Sequence, residues 1–102
     1  MIRFEWDPSK NEINRFKHEI DFETATLVFD DVFCVSFVER VVEGEERWHS
    51  IRSVEGLIVL VVVRTYREEG RAEVVRIISA RRATAHERKL YGEAIKRETE
   101  GA

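Results

Sequence analysis

The chain is poor in the residues on which disulfide, zinc and cofactor chemistry depend. It has one cysteine, Cys34, so no internal disulfide can form, and with no second thiol nearby it does not suggest a zinc site. Cys34 is expected to be a small buried hydrophobe in a strand. The one proline, Pro8, lies near the start, and no repeat, low-complexity tract or Gly/Ser/Pro linker follows. A single domain spanning residues 1–102 is therefore expected. The longest apolar run, residues 57–63, is seven residues, against the roughly 20 needed to cross a bilayer. Residues 1–7 lack the basic and apolar regions of a signal peptide, so a cytoplasmic protein is expected. Also missing are a glycine-rich phosphate loop, H-E-x-x-H, a cysteine pair and G-x-S-x-G. Neither a metal nor a cofactor is expected.

What is present is apolar material for a core, 43% of residues, inside an unusually ionic surface, with 36% of residues charged. The net charge of −3 disfavours a polyanionic partner at first sight. That mean conceals two halves of opposite sign. Residues 1–63 carry 7 Lys+Arg against 13 Asp+Glu, whereas residues 64–97 carry 10 against 5. Such a division suggests a basic surface, for phosphates or for an acidic protein, on an acidic body.

Residues 2–6 alternate apolar and charged side chains, as in a half-buried strand. Asp7 then reads as an N-cap with Pro8 at the first helical position. Ile13, Phe16 and Ile20 form an apolar stripe on this helix, with Lys10, Asn14, Lys17 and His18 off it. Asp21 resembles a second N-cap. A short helix with Phe22, Ala25, Val28 and Phe29 as its apolar stripe follows, ending near Asp30 and Asp31. From Phe33 the period changes to two. Residues 33–38 and 45–51 read as strands joined at Glu43-Gly44, and residues 57–63, apolar throughout, as the middle strand of the sheet. Residues 72–79 form a further strand after the turn near Gly70. Thr84-Ala85-His86-Glu87 is a capping box that opens a final helix from about Ala85 to Arg97, whose apolar face is Leu90, Tyr91, Ala94 and Ile95. The order β-α-α-β-β-β-β-α predicts an α+β domain with helices packed on a mainly antiparallel sheet.

The chemistry-bearing residues are mostly basic: Arg64, Arg67, Arg71, Arg76, Arg81, Arg82, Arg88 and Lys89. Guanidinium forks suit phosphate oxygens, and the start of the last helix adds positive potential. The same set also fits an acidic protein or a solvated surface. Arg76, between Val74 and Ile78 in its side-chain file, needs either an open cleft or a carboxylate partner. Glu87 reads as a capping residue or a general base. His18 suits a helix C-terminus, proton transfer or phosphate contact. Tyr91 reads as core with its hydroxyl at the rim, or as a proton donor or base-stacking ring. His49 and His86 are expected to be exposed, and Trp6 and Trp48 to anchor a core or an interface.

Taken in order, Phe4-Glu5-Trp6-Asp7-Pro8-Ser9-Lys10, Asn14, Lys17-His18, Ile20-Asp21-Phe22, Val28-Phe29-Asp30-Asp31 and Gly44-Glu45-Glu46-Arg47 resemble the BrnT toxin family. The most specific element of the resemblance is Arg76-Ile77-Ile78-Ser79-Ala80-Arg81-Arg82-Ala83, followed by Glu87-Arg88 and Tyr91. The likeness covers residues 2–91. It implies a RelE-like fold and the toxin of a type II toxin–antitoxin system, a small endoribonuclease that inhibits translation. It also implies a BrnA-like antitoxin with a ribbon–helix–helix domain, in a heterotetramer of two toxins and two antitoxins. Operator DNA would be bound only through the antitoxin, and the complex would regulate its own operon. With length for the toxin alone, DNA binding and inhibition are expected from the partner.

On this reading, metal-independent cleavage needs a base for the 2′-OH, cations for the charged phosphorane and an acid for the leaving oxygen. The expected catalytic set is Lys17, His18, Glu46, Arg64, Arg76, Arg81, Glu87 and Tyr91, with Arg47, Arg82, Arg88 and Lys89 contacting RNA. Glu46, Glu87 and His18 are the candidate bases, and Tyr91 and His18 the candidate acids. The alternative is an inactive BrnT-like module that binds an antitoxin or another acidic partner.

Overall fold

A computed structural model describes residues 1–30, 34–54 and 58–100. The elements run β1 (Ile2–Glu5), α1 (Pro8–His18), α2 (Phe22–Ala25), a 3-10 turn (Thr26–Phe29), β2 (Val35–Val42), β3 (Glu45–Val54), β4 (Ile58–Glu69), β5 (Ala72–Arg82) and α3 (Ala85–Glu100). The five strands form one sheet in the order β1-β5-β4-β3-β2, with β4 in the middle, as its unbroken apolar run predicts. The fold is α+β, and the sheet is mixed: β1 pairs parallel to β5 and the other pairs are antiparallel. The expected starts at Phe33 and Leu57 and the helix end at Asp31 lie outside the described residues.

Local chemistry sets most boundaries. The Asp7 carboxylate accepts from Ser9 N at 2.9 Å, and that of Asp21 from Thr24 N at 2.7 Å, each satisfying a helix-start N–H. Glu19 closes α1 in the left-handed region (φ 59°), its N–H donating to Arg15 O. Glu43 and Gly44 both take positive φ between β2 and β3, as a two-residue type I′ hairpin requires. β4 runs past Val63 to Glu69, and β5 past Ser79 to Arg82. Both extensions carry charge, and each is held as strand by pairing with the other strand's apolar part: residues 64–69 of β4 with 72–77 of β5, and residues 80–82 of β5 with 60–62 of β4.

One sheet face is covered. Ile20, Phe22, Ala25 and Val28 pack on Leu60, Val62, Val75, Ile77 and Ala80, with Phe4, Trp6, Phe29 and Cys34 at the margin. Trp6 meets Phe22 edge to face at 6.0 Å. Cys34, half-buried, precedes β2, and burial pushes its thiol up, keeping it protonated. On the other face a helix packs at one end, where Tyr91 of α3 and Val59 meet Ile51, Val61 and Ala83, while Thr65 and Val74 are buried towards the opposite end.

Helix α1 does not follow the expected stripe. Ile20, just past the helix, is buried, but Ile13 is 64% and Phe16 93% exposed, whereas Asn14 is 6% exposed. β1 pairs only with residues 73–76 of β5, and Asn14 serves the strand beyond that point. Its Nδ2 donates to Ala80 O (2.8 Å) and Ile20 O (2.9 Å), and its Oδ1 accepts from Ala80 N (3.1 Å). One carboxamide thus supplies both halves of a strand partner. A hydrophobic periodicity cannot detect this, because hydrogen-bond satisfaction rather than apolar area decides which side of α1 faces inward.

Candidate functional site on the open sheet face

Register arranges the open face in rows. Across β3, β4 and β5, the first row is Ile51–Val61–Arg81 and the second is His49–Val63–Ser79. Thr65 and Arg76 continue into Glu5 of β1 as the third. Between the second and third rows Val63 pairs with Ser79 but Arg64 with Ile77, so Ile78 is an extra residue on β5. Such a bulge bends the strand and redirects side chains. Ile78 and Ser79 line two depressions at once. One, about 180 Å³, is walled by Lys10, Ile13, Asn14, Lys17 and His18 of α1; the other, about 360 Å³, by Arg40, Val42, Arg47 and Val63.

The cations here are held in different ways. Arg81 makes a two-pronged pair with Glu87 (2.7 and 2.9 Å), while Glu87 also accepts from Thr84 N and its own N–H bonds Thr84 Oγ1. The capping box forms as expected. The Arg81 guanidinium first, then the Thr84 N–H, hold the Glu87 carboxyl down at about 2, which makes it a poor proton acceptor near neutrality. Arg67 is gripped by Glu5 (2.6 and 3.1 Å), and this contact is the main reason that Glu5 lies below the usual carboxylate range. Arg76 is exposed and meets Glu5 only at 3.5 Å. Both halves of its expected alternative occur together, an open face and a carboxylate. Arg47 meets Glu45 at 3.7 Å, while its Nε is buried with no partner among the described residues.

His49 is not the exposed residue expected. Its side chain is 13% exposed, 3.9 Å from a Glu39 carboxylate oxygen, with its ring 5.5 Å from that of Phe37. Burial first, with Arg81 and Arg40 acting in the same direction, pulls the imidazole below 6.5 against Glu39 and Glu87. It is neutral at pH 7. The alternation of β3 places His49 and Arg47 on one side, but only pairing to Val63 and Ser79 shows which side that is.

The sheet divides the expected site residues. Arg76, Arg81 and Arg47 share the open face, Lys17 and His18 border it from α1, and Glu87, Arg88 and Tyr91 reach it through α3. Arg88 is tied to Ala83 O at 3.0 Å, Tyr91 packs in the small second core, and Lys89 is exposed. Arg64 lies on the covered face. It stacks 5.1 Å from the Trp48 ring and 5.5 Å from that of Phe29, and its Nε donates to Ser50 Oγ at 3.1 Å. Arg82, paired with Leu60, belongs to that face too. So does Glu46, which lines a separate depression with Trp48 and Tyr66. These three cannot meet the same phosphate as Arg76. Among the described residues, no cluster of His, Cys, Asp and Glu could hold a metal ion, and no helix is long and apolar enough to cross a membrane.

The domain is thus a small α+β fold with one sheet face under helices and, on the other, an arginine-bearing surface built around a strand bulge. Residues 6–87 match the family described as the ribonuclease toxin, BrnT, of type II toxin–antitoxin systems, and the chain belongs to that family. Its structure is similar to a 1.1 Å crystal structure of the Brucella abortus ribonuclease toxin BrnT. The two share 27% sequence identity at a TM-score of 0.62, over 82% of this chain and 99% of the other. A search of curated proteins gave no match.

Proposed function

We propose that this chain is an endoribonuclease that cleaves RNA without a metal ion, inhibits translation in the cytoplasm and is neutralised by an antitoxin. Membership of a type II ribonuclease toxin family supports both the activity and the partner. The observation that carries the chemistry is the second row, where neutral His49 and the Ser79 hydroxyl lie across Val63, between the rows of Arg76 and Arg81.

In this reading the scissile phosphate sits over Val63 and Ser79. His49 takes the proton of the ribose 2′-OH, the freed oxygen attacks the adjacent phosphorus, and the P–O5′ bond breaks to leave a 2′,3′-cyclic phosphate. Arg76 and the terminal nitrogens of Arg47 stabilise the charge on the phosphorane, where donors held in position are most effective. Arg81, anchored by Glu87, fixes the positive wall instead of moving a proton. His18 or Lys17, at the edge of the same bulge, returns a proton to the 5′-oxygen. The antitoxin is a BrnA-like ribbon–helix–helix protein in a two-to-two complex that binds operator DNA and regulates its own operon.

The test is cleavage of a single-stranded RNA by purified, partner-free protein in EDTA, with the same strand 2′-O-methylated as control. Cleavage of the RNA alone, ending in cyclic phosphate, is expected. A folded protein that binds its antitoxin but cuts no RNA would give the inactive interaction module instead.

A further inference from the structure

Phe16 is 93% exposed, more so than any other large hydrophobic residue among those described. It contributes nothing to either core, so its place on the surface is not a requirement of folding. A phenylalanine ring left in water forgoes the free energy of burial. It is one helical turn from Ile13, which is itself 64% exposed and lines the depression at the bulge. The charged and ionisable side chains of that depression are Lys10, Lys17 and His18, with no carboxylate among its described lining. Phe16 lies outside that lining, next to Ile13 on the same helix, so an apolar ring and a cationic track that leads to Ser79 share α1, an arrangement that suits unpaired nucleic acid: phosphates follow the cations and a base lies on the ring.

We propose that Phe16 is a stacking platform for an unpaired RNA base flanking the scissile phosphate, with Lys10 and Lys17 holding the phosphates on either side of that nucleotide. The inference rests on the proposed ribonuclease reading and adds to it a subsite outside the catalytic row. The platform accepts any base, since every base has a π-face, so it sets affinity for single strands and not sequence preference. Paired RNA, its bases already stacked on one another, gains nothing from it.

The probe is a 2′-O-methyl oligonucleotide, which the proposed chemistry cannot cut, titrated against wild type, Phe16→Ala, Phe16→Leu and Phe16→Trp. Phe16→Ala is expected to weaken single-strand binding about 5- to 150-fold, the usual worth of one stacked base. Its melting temperature should be unchanged. Phe16→Trp should bind at least as well as wild type, with the added indole fluorescence quenched on binding, whereas Phe16→Leu should bind as poorly as Phe16→Ala. Equal single-strand binding by wild type and Phe16→Ala, in a protein that cleaves RNA, overturns the proposal while leaving the ribonuclease reading standing. Loss of antitoxin binding without loss of oligonucleotide binding assigns Phe16 to the protein interface and also overturns it. If wild type neither cuts RNA nor binds the oligonucleotide, the ribonuclease reading itself has failed.

Discussion

Arg64 and Arg76 lie on strands that pair directly, and the sheet puts them to opposite uses. Arg64 faces the helices, half-buried between Trp48 and Phe29 with Ser50 as its acceptor. Arg76 faces outward with a single loose contact to Glu5. One residue type thus cements a core margin on the covered face and offers a free fork on the open one. A guanidinium is available to a ligand only where packing and carboxylates leave its donors uncommitted.

The sharpest test of the covered face is Asn14→Ala. It removes the surrogate strand partner and orphans the Ala80 N–H and C=O, for a cost of about 3–5 kcal/mol. Thermal unfolding should show a fall of well over 10 °C. A fall of only a few degrees would mean that water or a shifted α1 replaces those bonds.

Arg76→Ala should act the opposite way. RNA cleavage is expected to drop by about 10²- to 10³-fold, the usual effect of losing one donor to a developing oxyanion. The melting temperature should hardly change, since the side chain is exposed and its pair is long. Undiminished cleavage would remove the open-face site.

Arg64→Ala should resemble Asn14→Ala in kind but not in size, costing about 1–3 kcal/mol through lost stacking and the lost bond to Ser50, whose hydroxyl keeps its partner Ser36. Cleavage per folded molecule should stay within a few fold of wild type. If Arg64→Ala folds normally and fails to cleave, the two-face division is wrong.

The smallest effect is in pH. His49 is held below 6.5 chiefly by burial, so folding favours its neutral form. The stability this contributes is present above 6.5 and is lost as pH falls through the lower folded value. As base, His49 is also disabled in that range, so cleavage should hold from pH 7 to 6.5 and decline at lower pH. His49→Gln should be slow at every pH and lack this decline. An unchanged acid limb in that variant would place the base elsewhere, with His18 next.

Much of the architecture was legible in residue order. Asp7 and Pro8 mark the start of α1, Thr84 and Glu87 that of α3, and Glu43-Gly44 a tight hairpin, because caps and turns depend on neighbours a few positions apart. The concentration of arginine after residue 63 and the BrnT likeness were equally readable. The strands' charged extensions were not, since each is held by pairing with a segment of the other strand distant in sequence.

Which arginines act together was decided by tertiary structure alone. Strand alternation divides side chains into two sets without naming the wet one, and the bulge at Ile78 shifts the alternation along β5, so Arg76 and Arg81, five residues apart, emerge on the same face. The burial of Asn14, the exposure of Phe16 and the perturbed His49 have the same origin. Each depends on which distant backbone or ring the fold brings opposite it, a long-range pairing that local periodicity does not encode.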